Sequence, residues 1–259
     1  MAGPRYVYAV CRPFRAALQA QLIGVAGAPV GLLGHHGLVA VVSTVPERDF
    51  AEEPLHAHLA DPQWRAAVVR AHRGVVDALT AVTTPLPLRA ATVCPDDSAL
   101  RLMLETHGAA FTRALDRLQG RVEWSVNVYT EKQPTGMSEE AERFVTRLHG
   151  LLSRYADESC FRDPQDSMFF GAAGRTGHTV LNASYLVSRA DSEQFVELVD
   201  RLKGDAPGLR VELTGPWAAY SFTRENDDDD EGGENGENGE SAGAAEFAGA
   251  QKAKRTWVS

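Results

Sequence analysis

The stretch VGLLGHHGLVAVVSTVP, Val30 to Pro46, decides the fold. Two apolar runs flank His35, His36 and Gly37, and a turn there predicts an antiparallel pair of strands. The second run, Leu38–Val45, is almost wholly apolar, which predicts a strand at the centre of its sheet. Upstream, RYVYAVC (Arg5–Cys11) has the β-branched and aromatic content of a strand. Pro13 suits the first turn of a helix that carries Phe14, Leu18 and Leu22 at four-residue spacing. Downstream, Asp61 as cap and Pro62 at the first helical position open a helix with Trp64, Val68, Ala71, Val75, Leu79 and Val82 on one stripe. PLPLRAATV (Pro85–Val93) then reads as a strand whose prolines place it at an edge or entry position. The order β-α-β-β-α-β is the ferredoxin-like order.

A continuous helix is expected over Pro95–Leu118, with Leu100, Leu104, His107, Phe111, Leu115 and Leu118 on its apolar face. RVEWSVNVYTE alternates Val122, Trp124, Val126 and Val128 with Glu123, Ser125 and Asn127, the pattern of a half-buried strand. Ser138 and an acidic first turn begin a helix bearing Phe144, Leu148, Leu151 and Tyr155. HTVLNASYLVS is a strand, and Asp191 with Gln194 in capping-box position starts a helix that Gly204 ends. GLRVELTG is the next strand. A kink at Gly215-Pro216 would separate it from a short closing strand WAAYSF, since Pro216 has no N–H for a ladder. The second half thus reads β-α-β-α-β plus that last strand.

The fold class is α+β: two ferredoxin-like (βαββαβ-type) domains with a disordered acidic C-terminal tail. The boundaries are 1–120, 121–224 and 225–259. Nine acidic residues and no Lys or Arg stand between Glu225 and Glu240, which equals the whole net charge of −9. The body is therefore near neutral, and neither part suggests nucleic acid as a partner. The tail is too polar to offset its ordering entropy, and it ends in a basic and aromatic segment, QKAKRTWVS. No apolar run approaches membrane-spanning length, and the start lacks the pattern of a signal peptide, so a cytoplasmic protein without a membrane partner is expected. Cys11, Cys94 and Cys160 lie far apart and are read as reduced thiols.

Catalytic patterns are missing. GAAGRTGHT (Gly171–Thr179) has His178 where a phosphate loop needs lysine. No nucleophile elbow and no HExxH occurs. His35 and His36 are adjacent, and His56 and His58 would point about 200° apart on a helix. Without further ligands at metal spacing they are read as solvated, and no catalytic residue, metal or cofactor is expected.

Seven stretches in order are similar to the gas vesicle proteins of the F/L family: YVYAV, GLVAVVSTVP, Ala71-His72, LPLRAATV, VEWSVNV, LNASYLVSRADSEQF and TGPWAAYSF. They run from about Tyr6 to Phe222, nearly the whole folded body. Two departures stand out: Ala90-Ala91 where the family usually has Phe-Gly, and Ala218-Ala219 where it has Pro-Pro. The resemblance implies two ferredoxin-like domains and a cytoplasmic, gas vesicle associated accessory protein that is not an enzyme. It implies as partners the small hydrophobic shell subunit and other gas vesicle accessory proteins, help with nucleation and assembly, and a place as a minor vesicle component. A ligand-sensing regulatory domain and an uncharacterised enzyme on the same fold are the alternatives. Arg89, at the Pro-rich strand entry, and Trp217, in the closing motif, are the candidate partner-binding residues, each also explicable as structure.

Overall fold

A computed structural model of the chain describes residues 3–14, 22–130, 139–162, 178–204 and 208–223. Elements in chain order are β1 Arg5–Cys11, β2 Val30–His35, β3 Leu38–Thr44, α1 Glu47–Phe50, α2 Glu52–Leu59, α3 Pro62–Thr80, β4 Leu86–Pro87, β5 Val93–Cys94, α4 Asp97–Thr106 and α5 Gly108–Leu118. There follow β6 Arg121–Thr130, α6 Glu139–Leu152, β7 Glu158–Phe161, β8 His178–Ser188, α7 Ser192–Lys203 and β9 Leu209–Trp217. The chain divides into two compact units, with the boundary in sequence between Gln119 and Gly120. The helix expected after Pro13, the Ser138 cap, the Gly171–Gly177 stretch and the acidic tail lie outside the described residues.

In the first unit the antiparallel strands run β2-β3-β1-β4, and β5 also pairs with β1. This is the ferredoxin-like order, with the first strand between the third and the last. The apolar run Leu38–Thr44 is central, as its composition requires. The expected Pro85–Val93 strand is instead two short pieces. Pro87 cannot donate to a ladder, and Ala91 adopts a left-handed φ of 66°, so the chain leaves the sheet between them. The expected helix over Pro95–Leu118 is also two. His107 leaves helical geometry (φ −105°, ψ 10°) just before Gly108, and a new helix starts.

Asp61 caps α3 by accepting from the Gln63 N–H at 2.9 Å, with Pro62 beside it. Its buried stripe is Val68, His72, Val75, Val76 and Leu79, whereas Val82 lies past the helix end and is exposed. His72 lies against two buried tyrosines of β1. The Tyr6 hydroxyl is 3.1 Å from its Nδ1 and accepts from the Ala91 N–H at 2.9 Å. The Tyr8 hydroxyl donates to Ser43 Oγ (2.9 Å) and accepts from the Val25 N–H (2.8 Å), while Ser43 Oγ donates to the Pro29 carbonyl. Every hydroxyl in this apolar layer therefore has a partner, as burial demands.

The second unit repeats the sheet order with β7-β8-β6-β9. β7 was not foreseen. Its four residues, ESCF, are too short and too polar for a strand pattern, yet they pair with Ala183–Leu186 of β8 and complete β-α-β-β-α-β. Val122, Trp124, Val126, Val128, Leu181, Ala183, Tyr185 and Val187 form one face of the sheet. Leu148 and Leu152 of α6 and Phe195, Val199 and Leu202 of α7 pack on it. Each fully buried side chain of this size contributes about 1.5–3 kcal/mol. Asp191 precedes α7, but its side chain makes no cap hydrogen bond, so the expected capping box does not form.

Burial pulls the His72 imidazole down to a pKa of about 3, so it folds neutral. In the unfolded chain it charges near its ordinary value of 6.5. Stability is therefore complete above pH 6.5 and falls as the pH drops from there towards 3. Between pH 7.5 and pH 5 His72 alone should cost about 2 kcal/mol in urea unfolding. A His72→Gln variant should lose that share of the pH dependence.

Candidate functional site

The alternation along β6 predicts a wet outer face, and the structure corrects this. Glu123, Ser125 and Asn127 are buried, together with Asn182 and Ser184 of β8. Glu123 has no exposed surface. Its Oε1 accepts from Ser184 Oγ at 2.7 Å, Ser221 Oγ at 2.7 Å and Arg162 Nη1 at 3.5 Å, and its Oε2 accepts from the Ser221 backbone N–H at 2.9 Å. Arg162 follows β7 and is anchored by its own N–H, which donates to the Asn182 carbonyl at 2.8 Å. Its guanidinium also reaches Ser125 Oγ (3.3 Å) and Ser184 Oγ (3.2 Å). A buried carboxylate without donors would cost several kcal/mol, and here four donors meet it.

This site accounts for TGPWAAYSF. Gly215 has φ 138°, a conformation L side chains rarely adopt. A Cβ there would lie 2.8 Å from the Trp124 ring and 2.9 Å from the Glu123 carbonyl. Pro216 sits in β9, an edge strand, beside the register shift where Glu123 pairs with Trp217 and Ser125 with Thr214. A register shift falls where the sequence puts a kink, but β9 runs on through Gly215-Pro216 to Trp217. The closing strand WAAYSF does not form: Tyr220–Phe222 is a turn of 3₁₀ helix, with the Tyr220 N–H on the Ala218 carbonyl. That turn places Ser221 on the carboxylate, which a strand continuing β9 would carry past it.

The two residues singled out from sequence lie in different units. Arg89 is exposed in the loop between β4 and β5, and its carbonyl accepts from Thr92. Trp217 is half-buried, and its Nε1 donates to Thr214 Oγ1 at 3.3 Å. Beside Arg89, Ala91 holds the left-handed φ that a glycine would take freely, at a cost of about 1–2 kcal/mol. The three thiols are free, and burial pushes them up, Cys94 and Cys160 to about 11 and Cys11 to about 12. Thiols that hold their protons so firmly are poor nucleophiles at neutral pH.

His58 stacks on Trp64 rather than joining His56. His35 and His36, by contrast, meet Glu105 of α4, a carboxylate that no local spacing would have paired with them. A shallow depression on α6 is lined by Glu139, Glu142, Arg143, Thr146 and Arg147, a solvated helix face.

Apolar surface lies at the sheet edges. β2 ends its sheet; the Val30 N–H donates outward to the Leu22 carbonyl at 3.2 Å, and beyond Val30 no described strand pairs with its outer side. Leu32 on it is 46% exposed, with Ile23 just upstream at 58%. β7 ends the second sheet, and Phe161 on it is 67% exposed. Among the described residues no helix is long and apolar enough to cross a membrane.

A family model described as gas vesicle synthesis protein GvpL/GvpF matches residues 4–137 and 135–224. Gas vesicle protein L of Streptomyces sp. (strain CB03234) is 45% identical over 256 residues, covering 87% of this chain and 94% of its own. Gas vesicle protein F2 of Halobacterium salinarum is 26% identical, covering 77% and 82%. The crystal structure of gas vesicle protein GvpF from Microcystis aeruginosa superposes with a TM-score of 0.65 at 16% identity, over 87% of this chain and all of that one.

Glu123→Ala leaves the Arg162 guanidinium buried without its carboxylate and should cost about 3–5 kcal/mol in urea unfolding. Gly215→Ala should cost about 2 kcal/mol or more, from the close approach to Trp124 and the left-handed-side φ.

Proposed function

The chain belongs to the GvpL/GvpF family of gas vesicle synthesis proteins, and we propose from that premise that it is a cytoplasmic accessory factor for the vesicle shell. On this reading it binds the hydrophobic shell subunit before assembly, opposes its aggregation and delivers it to the growing vesicle alongside other accessory proteins. The observation that carries the reading is the state of the two sheet edges. Exposed strands are normally blunted by charge or by covering chain. Here β2 presents Gly31, Leu32, Leu33 and Gly34 at an edge, with Leu32 open to solvent. β7 presents Phe161. Such edges offer main-chain hydrogen bonds to an incoming strand and apolar contact for its side chains. A subunit with exposed apolar surface gains on both counts.

The chemistry of the second unit supports a holding role rather than a catalytic one. The oxygens of Glu123 are engaged by donors of the chain itself, and burial holds the Cys160 thiol protonated. Arg89 and Trp217 are proposed as further partner contacts. The exposed Arg89 suits a polar rim, and the half-buried Trp217 offers an aromatic anchor at the end of β9.

Co-expression with the shell subunit tests the proposal. Soluble shell protein should rise and copurify with this chain, and Leu32→Lys with Phe161→Lys should weaken recovery at least tenfold, about 1.4 kcal/mol. Arg89→Ala should weaken binding without moving Tm. Equal soluble shell protein with and without this chain, and no complex recovered, would sink the holding role.

A further inference from the structure

We propose that His35, His36 and Glu105 form a binding site for a divalent transition-metal ion of the zinc class. One ligand atom from each lies within 4.8 Å of those of the other two. His35 Nε2 is 2.6 Å from Glu105 Oε1, and His36 Nε2 is 3.7 Å from the same oxygen. Two donors on one zinc ion, each about 2.0–2.2 Å from it, stand roughly 3–4 Å apart. The observed separations bracket that range, so side-chain rotation alone would seat the ion.

The backbone is shaped to bring the imidazoles together. Successive side chains of an extended strand point to opposite faces, which would separate two adjacent histidines. His36 breaks the alternation with a left-handed φ of 45°, followed by Gly37 at 77°. Both centre residues of this two-residue hairpin thus have positive φ, a turn ordinarily made by Asn-Gly or Asp-Gly. With His in the first place, the second ring folds back onto the first, centroids 4.2 Å apart. The third ligand comes from the other side of the sequence. Val30 pairs with Ser43 on the face of Tyr6, so His35, five residues on, points from the opposite face and reaches α4.

Electrostatics favour a cation there. Glu105 is the penultimate residue of α4, and a carboxylate at a helix C-terminus meets the negative end of the helix dipole. No basic residue stands in that last turn. A bound divalent ion would offset both charges. Two imidazoles and one carboxylate select zinc, cobalt or nickel over the oxygen-preferring magnesium and calcium. The side chains of His36 and Glu105 are 72% and 49% exposed, which leaves room for water to complete the coordination shell. The ion would tie the β2–β3 hairpin to α4 beside the open edge strand.

The test is calorimetric titration of the untagged full chain with Zn²⁺, with Co²⁺ absorption as a second probe. His36→Asn keeps a residue that accepts left-handed φ, and Glu105→Gln keeps a hydrogen-bond acceptor, so both should fold with unchanged Tm in EDTA. The wild type should bind one ion, and each variant should bind at least tenfold more weakly. A His56→Asn, His58→Asn double variant should bind as the wild type does. Absence of one-to-one binding, equal affinity in His36→Asn and Glu105→Gln, or loss of binding in the His56/His58 variant instead, would overturn the assignment.

Discussion

A carboxylate with no exposed surface must be satisfied by the chain that buries it, and Glu123 sets that requirement for the second unit. Three other pieces of sequence answer the acid carried by β6: β8 brings Ser184, the segment after β7 brings Arg162, and the turn after β9 brings Ser221. Those segments are the two edges and the centre of one sheet. Close approach is needed at the far end, which is why Gly215 lies against Trp124 with no space for a Cβ. The most recognisable stretch of the sequence is therefore the part that closes a charged interior site.

The legible and illegible parts of the fold divide along a physical line. Hydrophobic periodicity reports where a side chain meets apolar neighbours, so β1, β3, α3, β6, β8 and α7 could all be read from it. It says nothing when a face is buried among polar groups. Glu123, Ser125 and Asn127 look like a solvated row because each is hydrophilic, yet their neighbours are serines, asparagines and an arginine rather than water. β7 failed for a related reason, since four residues with a glutamate, a serine and a cysteine carry no period, and only pairing with β8 makes them a strand. The break at His107 rests on one residue's φ and ψ, and the 3₁₀ turn at Tyr220 on local backbone hydrogen bonds, neither of which apolar spacing records.

The histidines show the same limit from the chemical side. The sequence near His35 and His36 offers no third candidate ligand. The carboxylate that His35 meets, Glu105, stands 70 residues away on α4. What the sequence did contain was a histidine where a two-residue hairpin wants Asn or Asp. That signal is conformational, and it becomes chemical only once the register of β2 against β3 fixes which face His35 occupies.

Both units use one sheet order, yet they fill it differently. The first buries hydroxyls around a neutral imidazole, with Tyr6 bonded to His72 and Tyr8 to Ser43. The second buries an ion pair clamped by serines. In each case a buried cluster of polar groups is satisfied within its own unit. Backbone capacity is left over at β2 and β7, whose outer sides no described strand pairs with and whose exposed side chains include a leucine and a phenylalanine. The two units thus share a strand order but not an interior chemistry, and at the surface both leave an edge strand with an exposed apolar side chain. Such edges can give main-chain hydrogen bonds to an added strand, a capacity that comes from the sheet order rather than from any one side chain.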